Sequence, residues 1–385
     1  MSTLLWRSTS NVNSSPEKAV VAMSGGVDSS VAAWLTLEQG ADCIGVTMKL
    51  FDTDDVHGSG SYSCSPGPSV PHNGCCSLAD VTDAKLVAHR LGIPHYVLNF
   101  ADDFRDQVIR RFIETYEAGA TPNPCIDCNR YVKFARLLQR AKQLGFDAIV
   151  TGHYARVAKD AGSGRFLLKK GMDGKKDQSY VLYAMTQEQL ACCRFPLGEL
   201  TKREVRDIAA ARGFGNAKKQ DSQDICFVPD GDYGGFIERY TGKRYPGGDV
   251  LDQNGVVLGR HKGFVRYTLG QRRGLGVAAG IPLYVAGKSA ADNTVTLGPD
   301  SSLYTKFLIA DQINLIACAE LKKPLKVAVK TRYLQAEQDG VAEQTGPGSI
   351  RVDFDKPQRA VTPGQAVVFY DGDVAVGGGT IRETG

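Results

Sequence analysis

The sequence predicts an α/β fold: a doubly wound parallel sheet followed by two small β-rich domains, the last a β-barrel. Three observations carry that prediction. Apolar runs alternate with helix-period segments from Lys18 onward, and a glycine turn joins the first strand to the first helix. Beyond about residue 228 the texture changes to short alternating strands split by glycine-rich turns. A chain of 385 residues has room for two to three domains. The boundaries expected are a disordered tail over 1–17, the α/β domain over 18–228, a central β-rich domain over 229–302 and the barrel over 303–385.

The elements follow in order. Ala19 to Met23 is a short apolar strand, then come a glycine turn and a helix from about Ser29 to Gln39. Cys43 to Met48 is the second strand. Leu78, Val81, Ala84, Ala88 and Leu91 fall on one helical face, and Tyr96-Val97-Leu98 is a third strand. Helices follow from Asp102 to about Ala118 and from Tyr131 to Leu144, then the strand Ala148-Ile149-Val150. Thr201 and Glu204 have capping-box spacing and start another helix. In the last third, Ile350–Phe354 and Gln365–Tyr370 read as half-buried strands. Asp371-Gly372, between Val367–Tyr370 and Val374–Val376, is a hairpin signal.

Composition excludes several classes of function. No apolar run approaches the ~20 residues that span a bilayer. The N-terminal apolar patch, Leu4-Leu5-Trp6, is too short for a signal-peptide core, so a cytoplasmic protein is expected. Ten cysteines in a reducing compartment then point to metal ligands, catalysis or buried thiols rather than a disulfide framework. Net charge is only +4, so a nucleic-acid partner has to be argued locally. One segment makes that argument: from Gln253 to Ala291 stand Arg260, Lys262, Arg266, Arg272, Arg273 and Lys288, with no Asp or Glu. It reads either as a phosphate track or as a solvated basic face.

The chemistry begins at Ser24-Gly25-Gly26-Val27-Asp28-Ser29-Ser30, placed between strand and helix. Glycines let the backbone approach an anion, and successive N–H groups with a helix N-terminus attract it. The Gly-Lys-Ser/Thr ending of a Walker A loop is missing. Asn123-Pro124-Cys125-Ile126-Asp127-Cys128-Asn129 is a C-x-x-C expected on a loop before the Tyr131 helix, where the helix dipole would favour a Cys128 thiolate. Asp221-Ser222-Gln223-Asp224-Ile225-Cys226-Phe227 supplies another thiol. The stretch containing His57, Cys64, His72, Cys75 and Cys76 has zinc-ligand residue types at irregular spacing, and a loop over the anion site is the favoured reading of 52–77.

The S-G-G-x-D-S loop resembles the pyrophosphatase loop of N-type ATP pyrophosphatases, whose fold is adenine nucleotide alpha-hydrolase-like. Together with the two cysteine segments, Thr151-Gly152-His153-Tyr154, Lys176-Asp177-Gln178-Ser179-Tyr180, Thr268-Leu269-Gly270-Gln271-Arg272 and Val361-Thr362-Pro363-Gly364-Gln365, the chain resembles the tRNA-specific 2-thiouridylases from about Ala19 to Ile381. The resemblance implies conversion of the wobble uridine of tRNA to 2-thiouridine, with ATP and Mg2+ consumed and AMP and pyrophosphate released. It implies ATP contacts from Ala22, Met23, Ser24, Gly25, Gly26, Val27, Asp28, Ser29, Met48 and Gly152. Met48 reads equally well as a core filler.

The resemblance also makes Cys128 the nucleophile and Cys226 the persulfide carrier, with a transient Cys128–Cys226 disulfide and sulfur from a relay protein or cysteine desulfurase. Asn123, Pro124, Cys125, His153, Lys176, Asp177, Gln178, Arg332, Tyr333 and Gln365 match positions that meet the tRNA anticodon loop or its target base. The central domain is then tRNA-binding. One departure stands out: many relatives carry Asp where this chain has Cys125. That third thiol opens an alternative, a [4Fe–4S] cluster on Cys125, Cys128 and Cys226. Two other readings compete: another adenylating enzyme of the same loop class, or a tRNA-binding protein without catalysis.

Overall fold

The computed structural model describes residues 9–11, 18–51, 78–221 and 225–385. Its first layer is a five-stranded sheet of β2 (Lys18–Ala22), β3 (Asp42–Lys49), β4 (His95–Asn99), β5 (Ala148–Val150) and β8 (Cys193–Arg194). The order is β4-β3-β2-β5-β8, and every pair is parallel. From β2 the chain steps outward to β3 and β4, then returns to add β5 and β8 on the other side. Strand order therefore reverses between β2 and β5, and ligands bind such sheets in the crevice at the carboxyl ends of those strands.

Alternation along β2 sends side chains to both faces. Ala19 and Val21 pack with α1 (Val27–Glu38), α2 (Leu78–Leu91) and α6 (Lys202–Ala211). Val20 packs on the other face with α3 (101–117) and α4 (124–143). Each of these two helices runs unbroken through a π-type stretch, Arg105–Ile109 in α3 and Cys128–Arg136 in α4. Phe104, Phe112 and Phe134 are fully buried there, each contributing about 1.5–3 kcal/mol. On α2 the buried side is Asp80, Ala84, Val87 and Ala88, whereas Leu78 is 87% exposed. The expected apolar face was thus rotated at its first turn, because Asp80 turns inward to a lysine.

A second correction concerns the cysteine segment. The helix expected from Tyr131 begins at Pro124, with Pro at its first position, so Cys125 to Asn129 are helical rather than loop. Cys125 takes the first turn and the place near the helix dipole that the sequence reading gave to Cys128.

The hairpin β6 (Ala155–Asp160) and β7 (Phe166–Lys170) follows β5, and Thr9–Asn11, inside the expected tail, pairs with β6 as β1. The rest of that tail lies outside the described residues, as does 52–77. Gln187–Cys192 (α5) carries a capping box from Thr186, and α6 carries the expected one from Thr201 and Glu204.

Within the central region α7 (Tyr233–Thr241) is a helix where strands were expected, capped by Asp232 and ended by Gly242 at φ +68°. It drives Phe236 into the α/β core against Phe112 and Phe227. Beyond it β9 (Asp249–Leu251), β10 (Val257–Arg260), β11 (Tyr284–Ser289) and β12 (Thr294–Gly298) form their own sheet, with Val250, Val285 and Val295 in its core.

The last six strands are β13 (Tyr304–Leu315), β14 (Leu325–Lys330), β15 (Gln338–Gly346), β16 (Ser349–Arg359), β17 (Ala366–Asp371) and β18 (Val374–Thr384). They close as a barrel through the β17–β18 pairing. The hairpin loop is Gly372-Asp373, one residue later than the signal, since Asp371 pairs with Val374 and Gly372 takes φ +61°. β17 is buried on both faces, not one. Val367 and Phe369 point into the barrel, while Ala366, Val368 and Tyr370 complete the α/β core. The barrel is thereby fused to the α/β layer, and β18 also pairs with β7.

Candidate functional site

At the reversal point β2 runs into the glycine loop. Met23 is held by its N–H to the Val46 carbonyl (2.8 Å) and by Thr47 Oγ1 donating to its carbonyl (2.8 Å). Gly25 has φ +71°, and a Cβ there would sit 2.2 Å from the Asp80 carbonyl oxygen, so glycine is required. Asn216 Nδ2 donates to the Gly25 carbonyl (3.0 Å), and Ser29 and Ser30 hydroxyls donate to the Gly26 carbonyl (3.0 Å each). With those carbonyls drawn back, the N–H groups of the same trans peptides face the opposite way. Gly26 caps α1 with no side-chain acceptor. Gly152, arriving from β5, packs so closely that a Cβ would lie 2.8 Å from Ser29 N. The loop and Gly152 thus build one backbone cradle for an anion.

Beside it runs a chain of charges. Lys202 Nζ donates to both Asp28 oxygens (2.7 and 2.8 Å) and pairs with Asp221 (2.6 Å), which Lys176 also holds (2.7 Å). Tyr154 OH donates to Asp28 Oδ1 (2.7 Å). Burial would raise the Asp221 carboxyl, but the bonds from Lys176 and Lys202 outweigh it and hold it below the usual range. Burial and the Asp28 charge push the Tyr154 hydroxyl far up. Behind the loop Lys219 joins Asp80 and Asp83 (2.7 Å each). Lys202, Tyr154, Asn216 and Lys219 were not singled out from the sequence. For Lys202 a signal existed: a lysine at the start of a well-capped helix opposes the dipole there, and such local conflicts mark function.

The thiols stand near the far end of this charge chain, since the charges of Cys125 and Asp221 both act on the Tyr333 hydroxyl. Cys125 is exposed, Cys128 is 7% exposed, and Cys226 is half-buried against the same core as Cys128. Phe227 anchors the second segment between Phe104 and Phe112, with ring centroids 5.7 and 5.2 Å away. Residues 222–224 lie outside the described residues. All three cysteines are thiols here. Among the described residues no three His, Cys, Asp or Glu side chains converge as a metal site requires, so the residues do not fit the cluster alternative in this conformation.

The barrel clamps the cysteine helix. Gln365 Nε2 donates to the carbonyls of Thr121 (3.1 Å) and Pro122 (2.8 Å), and Thr121 N–H donates to Pro363 (2.9 Å). Gly364, at φ +88°, lets the two loops meet. Tyr333 packs on Tyr180 (6.2 Å); burial, then the charges of Asp177, Cys125 and Asp221, push its hydroxyl up to about 12. Arg332 donates to the Ala360 carbonyl (2.8 Å).

Asp177 accepts from Gly171 N, Ser179 N and Ser179 Oγ, and Gln178 brackets the Tyr154 backbone. Asp177, Gln178, Arg332 and Gln365 are thus all engaged by backbone partners in this state, while Lys176 reaches Asp221 and Cys125 is exposed. Met48 is half-buried at the end of β3 and packs on the α/β core.

His153 sits between Phe134 and Phe195, with Thr151 Oγ1 2.7 Å from its Nδ1. Burial, then the Lys133 charge, lowers its pKa from 6.5 to about 3. The unfolded chain therefore binds a proton that the folded one refuses, and stability falls as pH drops from about 6.5 toward 3. The expected result is a larger loss of urea midpoint between pH 7 and 5 for the parent than for His153→Asn. Equal losses contradict the neutral assignment.

The basic segment is weaker than its sequence suggests. Arg260 pairs with Asp249, and Arg266 with Asp232 and Glu238. Lys288 lies over the Tyr116 ring (5.6 Å), where burial lowers it to about 8. Lys262, Arg272 and Arg273 remain as exposed cations. Among the described residues no helix is long and apolar enough to cross a membrane.

Comparison with known proteins follows this anatomy. Residues 17–230 match a family described as the tRNA methyl transferase HUP domain, 234–299 its PRC-barrel domain, and 305–381 the aminomethyltransferase beta-barrel domain. A tRNA-specific 2-thiouridylase MnmA of Heliobacterium modesticaldum is 51% identical over 95% of this chain and 92% of its own. Those of Acetivibrio thermocellus (50%, 96% and 100%) and Clostridioides difficile (46%, 96% and 99%) are similar throughout. A 4-thiouridine synthetase solved with RNA and bound ATP overlaps 55% of this chain and 45% of its own at 19% identity, with a TM-score of 0.32, too partial a likeness to bear on function.

Proposed function

Since the chain belongs to the tRNA-specific 2-thiouridylase family and is a tRNA sulfurtransferase, we propose that it thiolates the 2-position of the wobble uridine by adenylation followed by transfer of a persulfide sulfur. The observation that carries this reading is the run of charges that starts at Asp28 of the loop, passes through Lys202 to Asp221, and meets the Cys125 charge at the Tyr333 hydroxyl. The uracil 2-oxygen is a poor leaving group and must first be activated. In this reading the loop N–H groups and α1 N-terminus hold the β,γ-phosphates of ATP while the oxygen takes the AMP moiety. Lys202 stands where charge accumulates on the departing pyrophosphate. Asp28 is the carboxylate at hand for a Mg2+ that travels with the nucleotide.

Sulfur then comes from Cys226, loaded as a persulfide by a relay protein or cysteine desulfurase in the cytoplasm. Its outer sulfur attacks C2 as AMP leaves. Cys128 attacks the inner sulfur, which releases 2-thiouridine and leaves a Cys128–Cys226 disulfide. Uridine in an anticodon loop is cheaper to extrude than one in a duplex. The family description mentions methyl transfer, but paired thiols beside an anion cradle suit sulfur transfer, and the similar proteins from the three organisms above are all named thiouridylases. Nucleoside mass spectrometry of tRNA from a strain lacking the gene tests this: wobble 2-thiouridine should vanish and return with the intact gene. A missing methyl group instead would overturn it.

The tRNA path has its own test. Replacing Arg272 and Arg273 by Glu should lower the log–log salt slope of tRNA binding by about 1–2, with ATP binding retained. An unchanged slope returns these residues to a solvated face.

A further inference from the structure

Three thiols stand at this site, and the two-thiol cycle leaves Cys125 without a task. It occupies the first turn of α4 and is exposed, whereas Cys128 lies three residues on and is buried. Helix radius and rise put Cα atoms at i and i+3 about 5 Å apart, within the span that a disulfide bridges. A sulfur in the first turn also lies beside N–H groups that have no intrahelical acceptor, which favours its thiolate. Burial has a cost for turnover. A reductant arriving from solvent meets Cys125 first, while Cys128 is 7% exposed and Cys226 is packed against the same core. A disulfide between those two is shielded from the molecule that must reset it.

We propose that Cys125 is a relay thiol that carries the oxidised pair from the buried site to the surface. The inference rests on the persulfide reading. Cys125 loses its proton, and its thiolate attacks the Cys128 sulfur of the Cys128–Cys226 disulfide. The Cys125–Cys128 bond forms and the Cys128–Cys226 bond breaks. Cys226 leaves as a thiolate, takes up a proton and is ready for the next persulfide. No electrons are gained or lost in the exchange. Reset comes from an external dithiol, which attacks exposed Cys125 and is itself oxidised to a disulfide as Cys125 and Cys128 return to thiols. Re-reduction thereby moves to a surface C-x-x-C.

The test uses the full chain turning over with ATP, tRNA and a persulfide donor, quenched in acid with an alkylating agent. Peptide mass spectrometry maps the disulfides. In the parent the dominant oxidised pair should be Cys125–Cys128. In Cys125→Ser the Cys128–Cys226 pair should accumulate, with product stalling at about one 2-thiouridine per chain until excess small dithiol is added. Cys125→Asp should stall in the same way, and rescue of both variants by the dithiol separates loss of the thiol from loss of the fold. A parent that accumulates Cys128–Cys226 alone, or a Cys125→Ser chain that cycles as often as the parent, overturns the relay. A parent that makes 2-thiouridine with iron bound and no disulfide overturns the persulfide reading, and the relay with it.

Discussion

Cys128→Ser and Cys226→Ser should each lower 2-thiouridine formation by about three orders of magnitude or more, while pyrophosphate release on adding tRNA and ATP continues. A serine hydroxyl neither carries a persulfide nor exchanges with one, so transfer stops after activation. The two losses should not add, because Cys128 acts only on the adduct that Cys226 has made. Both side chains border a packed core, and Ser is close to Cys in volume, so stability should change little. Nucleoside analysis and a pyrophosphate assay on the same samples check this. Residual thiolation near the parental level in either variant contradicts the assignment of that thiol.

The second large effect concerns Lys202. Its ammonium lies between Asp28 and Asp221 with a side chain only 11% exposed. Lys202→Ala should slow pyrophosphate release by about 10²–10³ at saturating ATP, the usual loss when a preorganised charge at a developing anion is removed. It also leaves Asp28 without a cation and Asp221 with Lys176 alone, at a cost of about 3 kcal/mol that a urea midpoint would reveal. Asp28→Asn Lys202→Ala relieves part of that charge conflict, so it should regain stability without regaining activity. Recovery of both together would make Lys202 a structural residue only.

Much of this molecule was legible from local chemistry. The glycine loop, its strand and helix, and the Thr201–Glu204 box depend on neighbours in sequence, and the structure places them as expected. What was misread depends on partners far along the chain. Leu78 looked like a core residue because periodicity cannot know that Lys219 would draw Asp80 inward. The cysteine segment reads as loop in the sequence, whereas Pro124 at the first helical position starts the helix there. β17 read as half-buried because alternation cannot show that a second domain covers its outer face. Lys202 and Tyr154 meet Asp28 from positions 174 and 126 residues away in sequence, a distance no local pattern spans. The basic segment failed differently: its composition was right, but Asp232, Glu238 and Asp249 lie outside the window that was counted.

The central claim is that one crevice couples ATP cleavage between the α- and β-phosphates to sulfur transfer onto a wobble uridine. The most direct measurement incubates the purified chain with ATP, unmodified tRNA and a persulfide donor, then quantifies nucleotides and tRNA nucleosides together. The account predicts 2-thiouridine at the wobble position, with AMP and pyrophosphate in equal amount to it. Formation of ADP and phosphate, or thiolation at another position or atom of the tRNA, would contradict it.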